Sequence, residues 1–319
     1  MIQQGTIVHL ARGQYRLAEA LGGSAYGLVW RADGPDGSVA LKLVNTAQMA
    51  RAPSDLRHHW IDAARAEQAF LSRLAPWDGR HIVRLLDSGS PNGLPAMALE
   101  LLDGDLATHI KLLRSTGRAP GALQALDWLA QVNQALAKVH AAGFRYLDLK
   151  PGNLLLERRG GALKLADFGT CRAVCEAPSH AYLGTANWQA PEQFFPQAGN
   201  AYLTDPRSDY FALGALFYWL VCGRMLRYGA ACGQAYAAHG RDGAAHVRHA
   251  HGGIPPTLLP DEAAGFAHAF GPARAQAGAL LRALLAPAPD ERPAHALEIS
   301  RMLDSVRAAM AQPSLARAA

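Results

Sequence analysis

The 319-residue sequence has little lysine and little cysteine. Five lysines stand against 26 arginines, so a lysine in an apolar strand or a turn indicates a position that needs a compact ammonium group. The four cysteines, Cys171, Cys175, Cys222 and Cys232, show no CxxC spacing, which indicates a reduced cytoplasmic setting. At Cys171 and Cys175, ordinary thiols are favoured over a redox switch.

The sequence also lacks a long apolar run and a block of like charges. Its first ten residues have no signal-peptide core, and the longest apolar stretch, residues 210–223, is too short to span a bilayer. The formal net charge of +5 comes from dispersed basic residues, which disfavours nucleic-acid binding. Half of the residues are hydrophobic, so we expect a folded cytoplasmic protein with neither a membrane nor a nucleic-acid partner.

The most informative stretch is residues 146–153, YLDLKPGN, which is followed by the tripeptide DFG at residues 167–169. Its Pro-Gly pair predicts a turn, which places Asp148, Lys150 and Asn153 on one tight loop. Residues 154–156 and 162–166 are predicted to form two short strands joined by a turn at residues 158–161. This hairpin is expected to return Asp167 to the side of Asn153.

These residue types suit the transfer of a phosphoryl group, which requires that phosphate charge be neutralised and a hydroxyl be oriented. Asn153 and Asp167 carry the hard oxygen ligands that Mg²⁺ prefers, and Lys150 offers a cation to the transferring phosphate. Asp148 is then left to accept the proton of the substrate hydroxyl. A single aspartate on a turn is as often a capping residue, but the joint occurrence at these spacings favours the catalytic interpretation.

Both stretches resemble the catalytic and magnesium-binding loops of eukaryotic-like Ser/Thr protein kinases, whose pattern is His-Arg-Asp-x-Lys-x-x-Asn and then Asp-Phe-Gly. Asp148, Lys150 and Asn153 match, whereas Tyr146 and Leu147 replace the His and Arg. The Asp-x-Lys-Pro form is similar to Ser/Thr rather than Tyr kinases. The resemblance implies that an uncharged residue at 147 removes the usual electrostatic reason for phosphorylating the activation segment.

Upstream segments resemble the nucleotide-binding half of the same family. A glycine-bearing turn at residues 22–29 has Ser24 where the family has its middle glycine, and the strand 38–44 contains Lys42. The lysine side chain at this position either reaches water from an edge strand or is a buried cation with a partner. The resemblance implies that it holds the α- and β-phosphates and pairs with Glu67, which otherwise is an ordinary solvated charge on a helix predicted from Ser54 to residue 74.

The resemblance also implies that adenine meets backbone groups after the last strand of the small lobe, next to a gatekeeper at Leu99. The implied nucleotide site contains Leu21, Gly22, Ser24, Gly27, Val29, Ala40, Lys42, Glu67, Glu100, Leu102 and Leu155.

Downstream, residues 184–192 resemble the substrate-docking end of the activation segment, with Thr185 at the position typical of Ser/Thr kinases. Ser208 is predicted to cap a helix that is apolar on all sides and therefore buried. By resemblance, Asp209 accepts hydrogen bonds from the catalytic-loop backbone and Arg292 pairs with Glu192. A histidine-rich stretch at residues 239–251 lies outside the family pattern, and a solvated loop is favoured there over a metal site.

We therefore predict an α+β, bilobal protein-kinase fold. It consists of a lead-in at residues 1–12, a β-rich lobe at 13–102 with one main helix, a mainly helical lobe at 103–310 and a tail at 311–319. The implied activity is phosphorylation of Ser or Thr in proteins, with ATP and Mg²⁺ as cofactors. Two alternatives stay open: a pseudokinase scaffold, suggested by the altered residues 146 and 147, and a small-molecule kinase, which the docking segment disfavours. The Arg- and Ala-rich composition indicates a bacterial gene.

Overall fold

The computed structural model describes residues 2–24, 26–157, 161–175, 179–180, 182–197 and 201–311. The chain divides into two compact units, of which the first contains residues 1–104 and 155–171 and the second contains residues 105–154 and 172–319. The sequence predicts one division after residue 102, whereas the structure returns a later segment to the first unit. The reason is backbone pairing: the Leu165 N–H donates to His81 O and the Val83 N–H donates to Leu165 O, each at 2.9 Å.

The first unit is built on a six-stranded antiparallel sheet with the strand order β1-β2-β3-β4-β6-β5. Side chains alternate between the two faces of a strand, so Tyr15 and Leu17 on β2 and Leu41 and Leu43 on β4 enter the same core cluster. The strands are β1 (Ile7–Leu10), β2 (Gly13–Gly23), β3 (Gly27–Gly34), β4 (Gly37–Val44), β5 (Leu85–Gly89) and β6 (Ala96–Glu100).

The lead-in at residues 1–12, which we predicted to be a loose segment, contains the strand β1. Strand β1 pairs with β2 from Ile7↔Arg16 to Leu10↔Gly13, and Val8 joins the core while Ile7 faces outward. A strand of four residues places only two side chains on each face, and this pattern is too short for the strand to be identified from the sequence. The strand is fixed by its neighbours, since the Arg12 N–H next to it donates to Asp87 Oδ2 at 2.9 Å.

The helical part of the first unit starts earlier than predicted and is divided in two. Asn45 caps the first helix by accepting a hydrogen bond from the Gln48 N–H at 3.2 Å. The helix ends before Pro53, which disfavours helical backbone in the residue before it. Ser54 then lies in a single 3-10 turn rather than at a helix cap. The helices are α1 (Thr46–Arg51) and α2 (His58–Leu71).

Two short strands follow the loop at residues 146–153, as predicted: β8 (Leu154–Glu157) and β9 (Ala162–Leu165) form a two-stranded sheet. Most of the predicted turn between them, residues 158–160, lies outside the described residues.

The second unit is mainly helical. Its central helix, α6, is buried over most of its length, which agrees with its lack of a polar face. The cap is one turn earlier than predicted: Asp205 Oδ1 accepts from the Arg207 N–H at 2.7 Å, and Ser208 lies inside the helix. The helices are α3 (Leu106–Ser115), α4 (Ala122–Ala141), α5 (Pro191–Phe194), α6 (Pro206–Cys222), α7 (Arg227–His239), α8 (Gly243–His251), α9 (Pro260–His268), α10 (Arg274–Leu284) and α11 (Ala296–Ala311).

Four two-residue strands complete the second unit: β7 (Phe144–Arg145) pairs with β10 (Arg172–Ala173), and β11 (Ser179–His180) pairs with β12 (Tyr202–Leu203). The predicted tail, apart from its first residue, lies outside the described residues. In the ranges that are described, no helix is long and apolar enough to cross a membrane.

The histidine-rich stretch is helical rather than a loop. His239 ends α7, and the other three histidines lie on α8, which Gly252 ends in a left-handed conformation. The rings of His239 and His246 stack at 3.8 Å. Parallel stacked rings do not aim their nitrogens at a common point, and among the described residues no group of three or more His, Cys, Asp or Glu could hold a metal ion.

Candidate active site

In the first unit, Lys42, Glu67 and Asp167 meet at one ammonium group. Strand β4 carries Lys42, whose Nζ lies 2.6 Å from Glu67 Oε2 on α2 and 2.8 Å from Asp167 Oδ1. The pairing of Lys42 with Glu67 that the resemblance implies is therefore present. Glu67 is 1% exposed and Asp167 is 41% exposed, so the lysine joins a buried carboxylate to an accessible one.

Electrostatics favour the charged form of this lysine. Burial disfavours the ammonium ion, but the carboxylates of Asp167 and Glu67 outweigh burial and raise the pKa of Lys42 above its ordinary value. Burial raises the pKa of Glu67, and Lys42 opposes this change. A cation fixed between two carboxylates is suited to hold a polyanionic ligand beside an oxygen donor.

Asp167 lies in strained backbone, with φ at +59°. A left-handed conformation costs a non-glycine residue about 1–3 kcal/mol, and such costs are concentrated at functional sites. The next residue, Phe168, is fully buried and stacks on Phe70 of α2 at 4.6 Å. The packing of Phe168 on α2 therefore keeps Asp167 close to the helix that carries Glu67, the other carboxylate bound to Lys42.

The glycine-bearing turn is closed by Ser24. Its hydroxyl accepts from the N–H groups of Tyr26 and Gly27 at 3.3 and 3.2 Å, and its own N–H donates to Gly27 O at 2.7 Å. Asn45 fastens the turn to α1, because its Nδ2 donates to Ser24 O and its N–H donates to Tyr26 O, both at 2.9 Å. A Cβ on Gly27 would lie 3.2 Å from Cε of Lys42, so glycine lets the strand pass close to the lysine.

The end of β6, where the resemblance places adenine, is held by a buried charge pair. Glu100 Oε1 accepts from Lys164 Nζ at 2.7 Å and from the Arg84 N–H at 2.9 Å. Leu99 is buried and Leu102 is half-buried. The remaining residues of the implied nucleotide site differ in exposure: Leu21 and Gly22 are exposed, Val29 and Leu155 are half-buried, and Ala40 is buried.

In the second unit, Asp148, Lys150 and Asn153 lie on one loop, as predicted from the turn. Asp148 Oδ2 accepts from Lys150 Nζ at 2.8 Å and from Asn153 Nδ2 at 3.1 Å, and the same amide nitrogen donates to Asp148 O at 2.9 Å. Both hydrogen bonds from Asn153 to Asp148 are donated by its side-chain nitrogen, so they do not use the Asn153 amide oxygen.

Thr185 completes this group. Its hydroxyl donates to Asp148 Oδ1 at 2.7 Å and accepts from Lys150 Nζ at 2.8 Å. A carboxylate and an ammonium group thus converge on one hydroxyl oxygen. The sequence assigned Thr185 to the docking segment without predicting this contact.

Leu147 places Asp148 through an unusual backbone conformation, with φ at +66°. Asp209 of α6 accepts from the Tyr146 and Leu147 N–H groups at 2.8 and 2.7 Å, as the resemblance implies. Gln193 Nε2 donates to Leu147 O at 3.1 Å. Both peptide groups around the strained residue are therefore hydrogen-bonded to side chains of the second unit.

The docking segment is anchored by aromatic and amide contacts. Tyr182 stacks on Tyr236 at 4.7 Å and donates its hydroxyl to Gln189 Oε1 at 2.9 Å, and burial raises the pKa of Tyr182. Gln189 Nε2 donates to Leu183 O at 2.6 Å. A Cβ on Gly233 of α7 would overlap the Asn187 amide, so α7 packs directly on this segment.

Glu192 and Arg292 form the ion pair that the resemblance implies. The two guanidinium nitrogens of Arg292 lie 2.6 and 2.9 Å from the two carboxylate oxygens, which is a bidentate arrangement. Ser208 donates to the same carboxylate at 2.7 Å.

Sequence reasoning missed four polar residues that hold these groups: Asn45, Arg145, Lys164 and Gln193. Arg145 and Lys164 had a detectable signal, since each is a charge between two aromatic or apolar residues in the sequence, as Lys42 is. Asn45 and Gln193 had none, because isolated amides are common in turns and at helix starts.

Comparison with known proteins gives the following matches. A family model described as the protein kinase domain matches residues 15–303. The chain is 36% identical over 200 residues to the serine/threonine-protein kinase PknL of Mycobacterium bovis. The matched region covers 62% of this chain and 45% of that protein. The chain is also 30% identical over 256 residues to the serine/threonine-protein kinase PknA of Mycobacterium tuberculosis. This match covers 78% of this chain and 53% of that protein. The chain thus spans about half the length of these curated relatives.

Among solved structures, the crystal structure of the Mycobacterium tuberculosis PknI kinase domain matches with a TM-score of 0.62 at 24% identity, covering 96% of this chain and all of that one. At this identity the match shows the fold alone. The C20A variant of the same domain gives the same TM-score.

Proposed function

Because this chain belongs to the protein kinase domain family, we propose that it transfers the γ-phosphoryl group of ATP, with Mg²⁺, to serine or threonine hydroxyls of protein substrates. The observation that carries the proposal is the convergence of Asp148 and Lys150 on the hydroxyl of Thr185, at 2.7 and 2.8 Å. An acceptor hydroxyl needs the same two partners: a carboxylate for its proton and a cation near the phosphoryl oxygens.

The donor set fits the proposed cofactors. Asp167 and Asn153 offer a carboxylate and an amide oxygen, both hard ligands for Mg²⁺, and Asp167 is accessible. Lys42 would hold the phosphates by charge, and the backbone at Gly27 passes close to the lysine, since a Cβ there would lie 3.2 Å from its Cε. Bound with Mg²⁺, ATP supplies the phosphoryl group, and the protein contributes orientation and charge.

In the proposed reaction, Asp148 accepts the hydroxyl proton as the substrate oxygen forms a bond to the γ-phosphorus. The bond between that phosphorus and the β,γ-bridging oxygen breaks, and ADP leaves. Lys150 stabilises charge on the transferring group, and Asn153 holds Asp148 through its carbonyl and carboxylate oxygens. The docking segment at residues 184–192 supports a protein rather than a small-molecule acceptor, because the hydrogen bonds of Gln189 with Tyr182 and Leu183 order the backbone around Thr185.

The test uses purified protein with radiolabelled ATP, Mg²⁺ and three peptides that differ only in a Ser, Thr or Tyr acceptor. We expect label on the Ser and Thr peptides and little on the Tyr peptide. Asp148→Asn should lower turnover by about 10³-fold while nucleotide affinity, measured by fluorescence, changes little, because the metal ligands remain. Asp167→Asn should instead weaken Mg²⁺-dependent nucleotide binding.

Two outcomes would overturn the proposal. Nucleotide binding without transfer to any of the peptides or to lysate proteins would favour the scaffold alternative. Label confined to small molecules in a lysate would favour a small-molecule kinase. An Asp148→Asn variant that keeps most of the wild-type rate would show that the base has been misassigned.

A further inference from the structure

Arg145 is a buried arginine directly before the catalytic loop. It ends strand β7, is 2% exposed, and its guanidinium group donates hydrogen bonds to Thr204 and Ala173. One nitrogen donates to Thr204 O at 2.7 Å and to Thr204 Oγ1 at 3.2 Å, and the other donates to Ala173 O at 2.9 Å. A planar guanidinium can serve both partners at once, which a single ammonium group cannot do in the same geometry.

Residues 172–192 are here called the activation segment; one partner of Arg145 lies near its start, and the other lies beyond its end. Ala173 is near its start, on strand β10, which pairs with β7, and the Val174 N–H donates to Gly143 O at 2.7 Å. Thr204 directly follows strand β12, which pairs with β11 in the middle of the segment through Ser179↔Leu203. The guanidinium group therefore joins the start of the segment to the strand that supports its middle.

Arg145 is also linked to the catalytic base through the backbone. The next two residues, Tyr146 and Leu147, donate their N–H groups to Asp209, and Asp148 follows them. Thr204 and Asp209 lie on either side of the start of α6, which Asp205 caps. The catalytic loop is consequently held to the start of α6 by its backbone and by the Arg145 side chain.

We propose that Arg145 is a positioning residue that fixes the activation segment and the catalytic loop together without a phosphate group. The proposal rests on the proposed kinase function. The guanidinium partners at Thr204 and Ala173 are two carbonyl oxygens and a hydroxyl, which are present whether or not the activation segment is modified. Leu147 carries no charge that a phosphate would neutralise. The buried Arg145 guanidinium instead joins the activation segment to the residue after β12 through hydrogen bonds, so catalysis does not require phosphorylation of the segment.

The central experiment compares Arg145→Met, Arg145→Lys and Arg114→Met. Met keeps the length of the apolar stem and removes every donor, whereas Lys keeps the charge and one bonding direction. Arg114 is the matched control, because it lies elsewhere in the second unit and its guanidinium also donates to a backbone carbonyl, Trp219 O at 3.3 Å. Each variant is measured for kcat, for KM of ATP, for thermal stability and for amide hydrogen exchange.

We expect Arg145→Met to lower kcat by at least about tenfold with KM for ATP within about twofold, and Arg145→Lys to lie between it and wild type. Exchange should rise at Val174 and in residues 202–204 of the Arg145 variants and stay unchanged there in Arg114→Met. If Arg145→Met does not fold, the same comparison is made with Arg145→Lys.

Three results would overturn the proposal. The first is a folded Arg145→Met protein whose kcat stays within about threefold of wild type. The second is a loss of kcat without faster exchange at Val174. The third is an Arg114→Met variant that loses as much activity for the same loss of thermal stability, since Arg145 would then act only through global stability.

A separate arm tests the independence from phosphate. Wild type is treated with phosphatase, shown by mass spectrometry to carry no phosphate on residues 170–192 and assayed at once. We expect activity to be retained, and a fall of about a hundredfold that rephosphorylation restores would contradict the proposal. Exchange measurements need no turnover, so a protein that transfers no phosphate would refute the proposed function while the effect on Val174 still decides the role of Arg145.

Discussion

Removing the ammonium group of Lys42 is expected to destabilise the first unit in a pH-dependent way. In Lys42→Met the Glu67 carboxylate, 1% exposed, keeps its burial and loses its cation. Breaking a buried pair from one side costs about 3–5 kcal/mol, and we expect the lower end, about 3 kcal/mol, because Lys42 itself is partly accessible. The contact with Asp167 is discounted, since that carboxylate is 41% exposed and water screens it.

The sign of the pH dependence follows from the direction of the Glu67 shift. Burial raises the pKa of Glu67 in the folded protein, and loss of Lys42 removes the group that opposes this rise. The folded state of the variant then binds a proton that the unfolded state releases above about pH 4.3. Stability of Lys42→Met should therefore be greatest at acid pH and fall as pH rises, by at most about 1.4 kcal/mol per pH unit.

Urea denaturation between about pH 5 and 8 measures this effect, with Glu67→Gln and the double variant as controls. The double variant has no buried charge at this position, so we expect it to be more stable than Lys42→Met at about pH 8, with a coupling energy of about 2 kcal/mol. Its stability should not show the steep pH dependence. Additive free energies, or a Lys42→Met protein whose stability does not change with pH, would refute the reasoning.

Three further predictions can be checked, two with single variants and one by chemical labelling. Lys42→Arg should fold normally but lose most phosphoryl transfer, because a planar guanidinium does not fit the place of a compact ammonium between two carboxylates; near-normal kinetics would mean that another cation holds the phosphates. Gly184→Ala should cost about 2 kcal/mol in thermal unfolding and lower kcat, because φ is +96° and a Cβ would lie 2.5 Å from Leu147 O; an unchanged melting temperature would contradict this clash. A thiol reagent at about pH 8 should label exposed Cys175 but not Cys232 in the folded protein, because burial raises the pKa of Cys232 to about 12; equal labelling would show that the buried thiol is accessible.

Much of the fold and part of the site were predictable because the informative patterns are local. The predicted α+β bilobal kinase fold is confirmed by the family match and by the solved kinase domain of similar fold. The Pro-Gly turn placed Asp148, Lys150 and Asn153 on one loop, and they lie within hydrogen-bonding distance of one another there. The roles of these residues, and those of the implied nucleotide site, stay predictions.

The errors share a physical cause, which is that several elements have no local signal. Strand β1 is four residues long and is stabilised by β2 rather than by its own pattern. Helix α1 depends on the side chain of Asn45, and the histidine-rich helix α8, where we predicted a solvated loop, follows α7 after a short turn at residues 240–242. At α6, two polar residues three positions apart were both suitable caps, and only the backbone conformation selects Asp205.

The sequence by itself determined the residue types and spacings from which we propose the chemistry, namely Lys42, the loop at residues 146–153 and the tripeptide at residues 167–169. Only the tertiary structure decided how those groups are held. Asp209, Gln193 and Arg145 reach the catalytic loop or the activation segment across separations of up to 63 residues. Such contacts depend on the packing of α6 against its neighbours, and a hydrogen bond between distant residues leaves no periodic trace in the sequence.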